Sequence, residues 1–289
     1  MRQRSMWVAF GALLTLMPAW ARAEDPSSPT PAPDISAIAA AEAEKPPLLP
    51  APRAVDMPIL VYHHIVPGHS GADHLSLFAS PEAFEQQLRT LRDNGYQSIS
   101  FDDLADCLEY GLPLPERPVI ISLDDGWENQ FQYGFPLLQK YGFSATFYVV
   151  SGYLGGQNFM TVEQLKTMIA AGMTIGDHTR SHPALPTIAS PQRLAEEISG
   201  SKSWLEERLH VPITTFAYPY GSYSAATVAL VKAAGYRTAR TVDSGTHYTV
   251  GDLETLAAIV YPEFAGHYRD KLELAVREPG TGRNPIGNA

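Results

Sequence analysis

Cysteine is almost missing: Cys107 stands alone among 289 residues, which excludes an intramolecular disulfide framework and any multi-cysteine zinc site. A single cysteine of this kind is expected to act as a small buried residue rather than a reactive thiol. Positive charge is also short, with 21 Lys and Arg against 31 Asp and Glu and a net charge of −10. Phosphate-backbone binding needs clustered bases, so no nucleic-acid partner is expected. The apolar run from Trp7 to Trp20 contains Pro18 and falls short of the ~20 residues a spanning helix needs, so no stable transmembrane anchor is expected either. What that run does have is a positive start at Arg2 and Arg4 and a small-x-small end at Ala21-Arg22-Ala23. These are the parts of a secretory signal, expected over residues 1–23, and they imply a periplasmic or extracellular location. Without those residues, 18 bases face 31 acids and the net charge is −13.

Aromatic residues are absent from 24–56, where eight of 33 residues are Pro and eight are Ala. Such a segment buries too little apolar surface to offset its ordering entropy, and it reads as an extended linker. The chain as a whole is 45% hydrophobic and 10% aromatic, which excludes wholesale disorder. From Met57 onward, short β-branched or apolar runs recur at Pro58–Tyr62, Gln97–Phe101, Pro118–Leu123, Ala145–Val150, Met173–Gly176, Thr214–Tyr218 and Tyr236–Val242, with a weaker one at Thr255–Tyr261. Helical stretches separate most of them. Ser80-Pro81 and Ser190-Pro191 offer an N-cap followed by proline, Thr161 to Gln164 reads as a capping box, and Gly95, Gly142, Gly172 and Gly235 stand where helices should stop. Alternation of this kind predicts parallel strands with crossover helices, closing into one α/β barrel over 57–265 with a short tail over 266–289. Active sites of such barrels lie on the loops that leave the C-terminal strand ends.

Several unusual clusters fall there. Val119–Leu123 runs into Asp124-Asp125-Gly126, and adjacent carboxylates at the end of an apolar strand need a cation or hydrogen-bond donors to stabilise them. One of the two could ligate a metal, although an Asp-Gly turn is the plain alternative. His178 and His182, four apart and after the next strand but one, could converge on a single ion, either on a helical turn or in a tight loop. Tyr218-Pro219-Tyr220 follows another strand and could wall a sugar site, or merely plug the barrel rim. The first strand ends in His63-His64, of which alternation allows at most one to enter the site as a general acid.

In combination and in this order, Ser122-Leu123-Asp124-Asp125-Gly126, His178-x-x-x-His182 and Tyr218-Pro219-Tyr220-Gly221 resemble the polysaccharide deacetylases of the carbohydrate esterase family 4 type, from roughly Met57 to Pro262. The resemblance implies a distorted (β/α)7 barrel and metal-dependent removal of acetyl groups from an acetylated polysaccharide. It makes Asp124 the general base, Asp125, His178 and His182 the metal ligands, and the Tyr220 backbone N–H an oxyanion donor, with Tyr218 and Pro219 beside it at the substrate. Zn2+ is the default ion for these ligands, and Co2+, Ni2+ or Fe2+ would suit them. Two departures stand out. The arginine many members carry two residues before the motif proline is Ala217 here, leaving Arg180, Arg237 or Arg240 to supply the charge. The late Leu-x-His motif is also missing. Tyr62-His63, Ser80-Pro81-Glu82-x-Phe84 and Gly95-Tyr96 look like the subgroup that deacetylates poly-β-1,6-N-acetylglucosamine of biofilm matrix, in which the acid histidine comes from the first strand. That implies His63 as acid, with His64 as the fallback. Peptidoglycan, chitin or O-acetylated xylan as substrate, or a degenerate carbohydrate-binding protein without activity, are the competing expectations.

Overall fold

The computed structural model describes residues 54–68 and 77–260. The expected signal over 1–23, the linker up to residue 53 and the tail over 266–289 lie outside the described residues, as do the last residues of the expected barrel. The strands are β1 (Ala54–Asp56), β2 (Ile59–Tyr62), β3 (His64–Ile65), β4 (Phe78–Ala79), β5 (Gln97–Ser98), β6 (Pro118–Leu123), β7 (Thr146–Val149), β8 (Thr174–Asp177), β9 (Thr215–Ala217), β10 (Thr238–Arg240), β11 (His247–Thr249) and β12 (Ile259–Val260). The α-helices are α1 (Pro81–Asp93), α2 (Phe101–Tyr110), α3 (Phe135–Tyr141), α4 (Val162–Ala170), α5 (Pro191–Ala195), α6 (Ser201–Leu209) and α7 (Ala225–Ala233).

The main sheet runs β10-β9-β8-β7-β6-β2-β12, every neighbouring pair parallel, with β5 paired to the start of β6. Its two edges approach each other: Ala239 N–H donates to the Leu253 carbonyl, Leu256 N–H to Ala239, and Thr241 N–H to Leu256, on the segment that leads into β12. The sheet therefore curls into a form consistent with a distorted (β/α)7 barrel.

Side-chain alternation divides the core. Leu60 and Tyr62 of β2, with Val119, Ile121 and Leu123 of β6, pack against α1, α3, α4 and α6 through Phe84, Leu88, Leu138, Leu165 and Leu205. The opposite face, with Ile59, Val61, Ile120 and Tyr148, packs against Phe101, Leu104 and Leu108 of α2 and against Tyr248, Leu253 and Leu256. Strands buried on both faces are continuous apolar runs, which is why β2 and β6 are legible in the sequence.

The expected caps form. The Ser80 and Ser190 hydroxyls accept from Ala83 and Arg193 N–H, and Thr161 and Gln164 cap each other. Gly95, Gly142, Gly172 and Gly235 take left-handed φ just past α1, α3, α4 and α7. Three differences are local. The expected strand Gln97–Phe101 ends at Ser98, because Ser100 and Asp103 close a capping box and Phe101 is already helical. The strands expected over Tyr236–Val242 and Thr255–Tyr261 shorten to β10 and β12. Residues 54–56, expected to be linker, form β1, paired antiparallel with β11 from Ala54↔Thr249 to Asp56↔His247. Val55 packs on the Tyr248 cluster, an apolar anchor that Pro/Ala composition does not reveal.

Candidate active site

β6 delivers the carboxylate pair. Asp124 N–H donates to the Tyr62 carbonyl, continuing the ladder to β2, and Asp124 is buried. The chain then breaks sharply: Asp125 has φ 75 and Gly126 φ 78. A Cβ on Gly126 would meet Val149 Cγ1 at 3.2 Å, so glycine is required both for the turn and for the close approach of β7. The reversal sends the two carboxylates in different directions, as the strand alternation anticipates.

β8 delivers the histidines, in a loop rather than on a helical turn. Thr179 and His182 have φ 68 and 58, and His182 N–H donates to Thr179 Oγ1 at 2.9 Å. Four of the six described non-glycine residues with left-handed φ (Asp125, Thr179, His182 and Tyr220) belong to this site. Local strain thus concentrates where side chains converge. Below the loop, Glu197 of the π-helical turn Glu196–Gly200 is fully buried and accepts from Ser181 N–H at 2.8 Å and Ser181 Oγ at 2.6 Å, with Arg193 at 2.7 Å. Asp177, the last residue of β8, is buried with Tyr236 and Ser201 hydroxyls at 2.5 and 2.7 Å. Burial pushes its carboxyl up to about 7 against those hydrogen bonds.

Asp125, His178 and His182 meet. Asp125 Oδ1 lies 3.6 Å from His178 Nε2 and 3.4 Å from His182 Nε2, and the two Nε2 atoms are 3.1 Å apart. His178 Nδ1 donates to the Ala217 carbonyl at 2.7 Å, which leaves the Nε2 lone pair facing the cluster. Burial, reinforced by neighbouring His178, lowers the His182 pKa and favours the neutral form, the one able to ligate a metal. One carboxylate and two imidazoles at these separations match ligands about 2.0–2.2 Å from a shared divalent ion, with room for further ligands. The residues present therefore fit a metal, and this is the one such group of three found among the described residues.

Asp124 faces a different partner. Arg240 Nη2 donates to its Oδ1 and Oδ2, both at 2.5 Å, and both side chains are buried. Arg240 sits on β10 in register with Ala217 on β9, so the guanidinium reaches Asp124 from the strand beside the position where the resemblance expects an arginine. Arg237 instead binds Asp102, Asp106 and Glu109 on α2, and Arg180 is exposed. Burial pushes the Asp124 pKa up, but Arg240, then His178 and His63, outweigh it and hold the carboxyl below its usual range.

His63 points its Nε2 at Asp124 Oδ2, 3.8 Å away. Burial lowers its pKa, and Asp124 and then Asp125 offset this only in part. His64 faces elsewhere, stacked on Phe78 at 4.4 Å and tilted against Trp127 at 4.2 Å, with Nδ1 on the Asn129 amide. Of the tyrosine cluster, only Tyr220 reaches solvent, 68% exposed and with its ring 4.6 Å from that of His182. Tyr218 and Pro219, expected at the substrate, are buried. Tyr218 packs on Phe216 and donates to the Glu254 carbonyl at 3.1 Å, because alternation turns it inward. Sequence reasoning also missed Gln130, which is fully buried in the π-helical turn Gln130–Gly134. Its amide donates to the carbonyls of His63 at 2.7 Å and Asp124 at 2.5 Å, tying β2 to β6.

The sequence matches the family model "Polysaccharide deacetylase" over residues 111–239, which takes in Asp124, Asp125, His178, His182 and Tyr220 but neither His63 nor Arg240. YxkH of Bacillus subtilis (strain 168), assigned by its name to the polysaccharide deacetylases, is 32% identical over 189 residues, 65% of each chain. The poly-beta-1,6-N-acetyl-D-glucosamine N-deacetylase of Staphylococcus aureus (strain N315) is 25% identical over 171 residues, 55% of this chain and 59% of that protein. The match thus spans less than two thirds of the length of both curated relatives. Among solved structures, the Streptococcus pyogenes deacetylase PplD in complex with acetate superposes with a TM-score of 0.70 at 28% identity, over 78% of this chain and 100% of that one. With its parallel curled sheet and its carboxylate and histidine motifs at the strand ends, the chain carries a polysaccharide deacetylase domain, similar to those of the carbohydrate esterase family 4 type.

Proposed function

We propose that the protein hydrolyses the N-acetyl groups of an N-acetylglucosamine polymer and releases acetate, with Asp125, His178 and His182 holding a divalent metal, Zn2+ by default. The observation that carries this is the meeting, at the C-terminal ends of β6 and β8, of a three-ligand cage with a buried, arginine-paired carboxylate. When bound, such an ion supplies Lewis-acid polarisation of the acetamide carbonyl and lowers the pKa of water. Asp124, held ionised by Arg240, takes the proton of the attacking water. The Tyr220 backbone N–H, on the strained turn after β9, donates to the oxygen that gains charge. His63 gives its proton to the leaving amine; Asp124 at 3.8 Å offsets in part the burial that lowers its pKa. Acetate and a glucosamine unit leave. The export signal read over 1–23 would place this activity in the periplasm or outside the cell.

We further propose the β-1,6-linked polymer as substrate. Its supports are the acid candidate on the first barrel strand and the name of the Staphylococcus aureus relative. Incubating the Zn2+-loaded protein with β-1,6- and β-1,4-linked N-acetylglucosamine oligomers tests both levels. Faster acetate release from the β-1,6 series supports the linkage, preference for the β-1,4 series overturns it, and no release from either overturns the deacetylase reading.

A further inference from the structure

The reading of Asp125 as a metal ligand leaves its second oxygen to be explained. Asp125 Oδ1 faces both histidines, while Oδ2 accepts a hydrogen bond from the indole Nε1 of Trp127 at 2.9 Å. That donor is firmly held. The Trp127 ring stacks on Phe159 at 4.3 Å and 22°, and His64 lies against it at 4.2 Å. The backbone around it is pinned as well: Trp127 bridges Phe159, Glu128 N–H donates to the Asn158 carbonyl at 2.8 Å, and Met160 N–H donates to Gly126 at 2.9 Å. An indole has one N–H and no acceptor, so it can orient a carboxylate but cannot compete for the ion.

We propose that Trp127 is a positioning residue that ties Asp125 Oδ2 and so limits the carboxylate to ligation through Oδ1 alone. A free carboxylate can swing to chelate through both oxygens, which would fill a position needed for water or for the acetyl oxygen. With Oδ2 engaged, the open side of the site stays open. Partners of this kind typically change metal affinity by about 10- to 100-fold when removed. The inference rests on the metal reading proposed above.

The test titrates Co2+ into the metal-free full chain and records both affinity, by chelator competition, and the visible absorption bands, which report ligand number and geometry. Two variants are compared with the wild type: Trp127→Phe, and replacement of Trp127 by 3-benzothienylalanine, which keeps the bicyclic ring and lacks only the N–H. Both are expected to bind Co2+ about 10- to 100-fold more weakly and with altered bands. Should Trp127→Phe fail to fold, the benzothienyl variant decides alone. Wild-type affinity or wild-type bands in the benzothienyl variant overturn the inference, since the ring would then act by packing only. Absence of Co2+ uptake by the wild type would defeat the metal reading and this inference with it, whereas wild-type uptake with unaltered variants defeats only the role of Trp127.

Discussion

At the scale of single residues, the proposed chemistry rests on the Asp124–Arg240 pair. A carboxylate this deeply buried would be neutral without a partner, and removing one member of a buried pair costs about 3–5 kcal/mol. Asp124 has a depressed folded pKa, so its charged form persists as pH falls and is lost only below the usual carboxylate range. Replacing Arg240 with Gln leaves burial unopposed by the guanidinium. The acid limb of the pH–rate profile is then expected to move to higher pH with a lower plateau, and an unmoved limb would separate Arg240 from the base. His63 and His64 are told apart by what each touches. His63→Ala is expected to lower kcat about 10²- to 10⁴-fold, the range for a proton-transferring group, while His64→Phe, which keeps a ring between Phe78 and Trp127, stays within a few-fold of wild type. Steady-state rates on one N-acetylglucosamine oligomer check both.

At the scale of elements, the loop 178–182 is held from beneath. Glu197 is buried in a π-helical turn and takes Ser181 N–H, Ser181 Oγ and Arg193, although it touches none of the ligating atoms. Glu197→Ala leaves those donors unpaired, which costs about 1–3 kcal/mol, and it frees the strained turn that presents His182. Lower thermal stability and weaker metal binding are expected together, read by melting curves and chelator competition. This is also where legibility in the sequence stopped. Asp124-Asp125 and His178-His182 stand out because the members of each pair are contiguous or nearly so. Arg240 could not be chosen over Arg180 and Arg237, because the choice depends on the register of β10 against β9. The available signal was an arginine within the short strand Thr238–Arg240, where burial demands a carboxylate partner. Gln130 and Glu197 gave no signal, since π-helical turns have no clear pattern and aim their side chains by geometry alone. The burial of Tyr218 was not legible, because an aromatic residue at a strand end reads the same whether it faces in or out.

For the molecule as a whole, the barrel is a frame on which β2, β6, β8, β9 and β10 place one or two groups each around a single centre. The long parallel strands were visible as apolar runs, whereas β1, β3, β4 and β11, two or three residues long, were not. Because the ligands come from two different strands, an ion bound to the folded chain stabilises it through mass action, by about 2.7 kcal/mol when free metal is 100 times its Kd. The melting temperature is therefore expected to rise with Zn2+ and fall after chelation in the wild type, and to be insensitive to Zn2+ in His178→Ala. Among the described residues no helix is long and apolar enough to cross a membrane. The central claim, that a metal cage and a separate base act together in deacetylation, is tested most directly by measuring bound metal and released acetate side by side for wild type, Asp124→Asn and His182→Ala. The account predicts metal in the wild type and Asp124→Asn, loss of metal in His182→Ala, and acetate from the wild type alone; full acetate release by metal-free protein or by Asp124→Asn would contradict it.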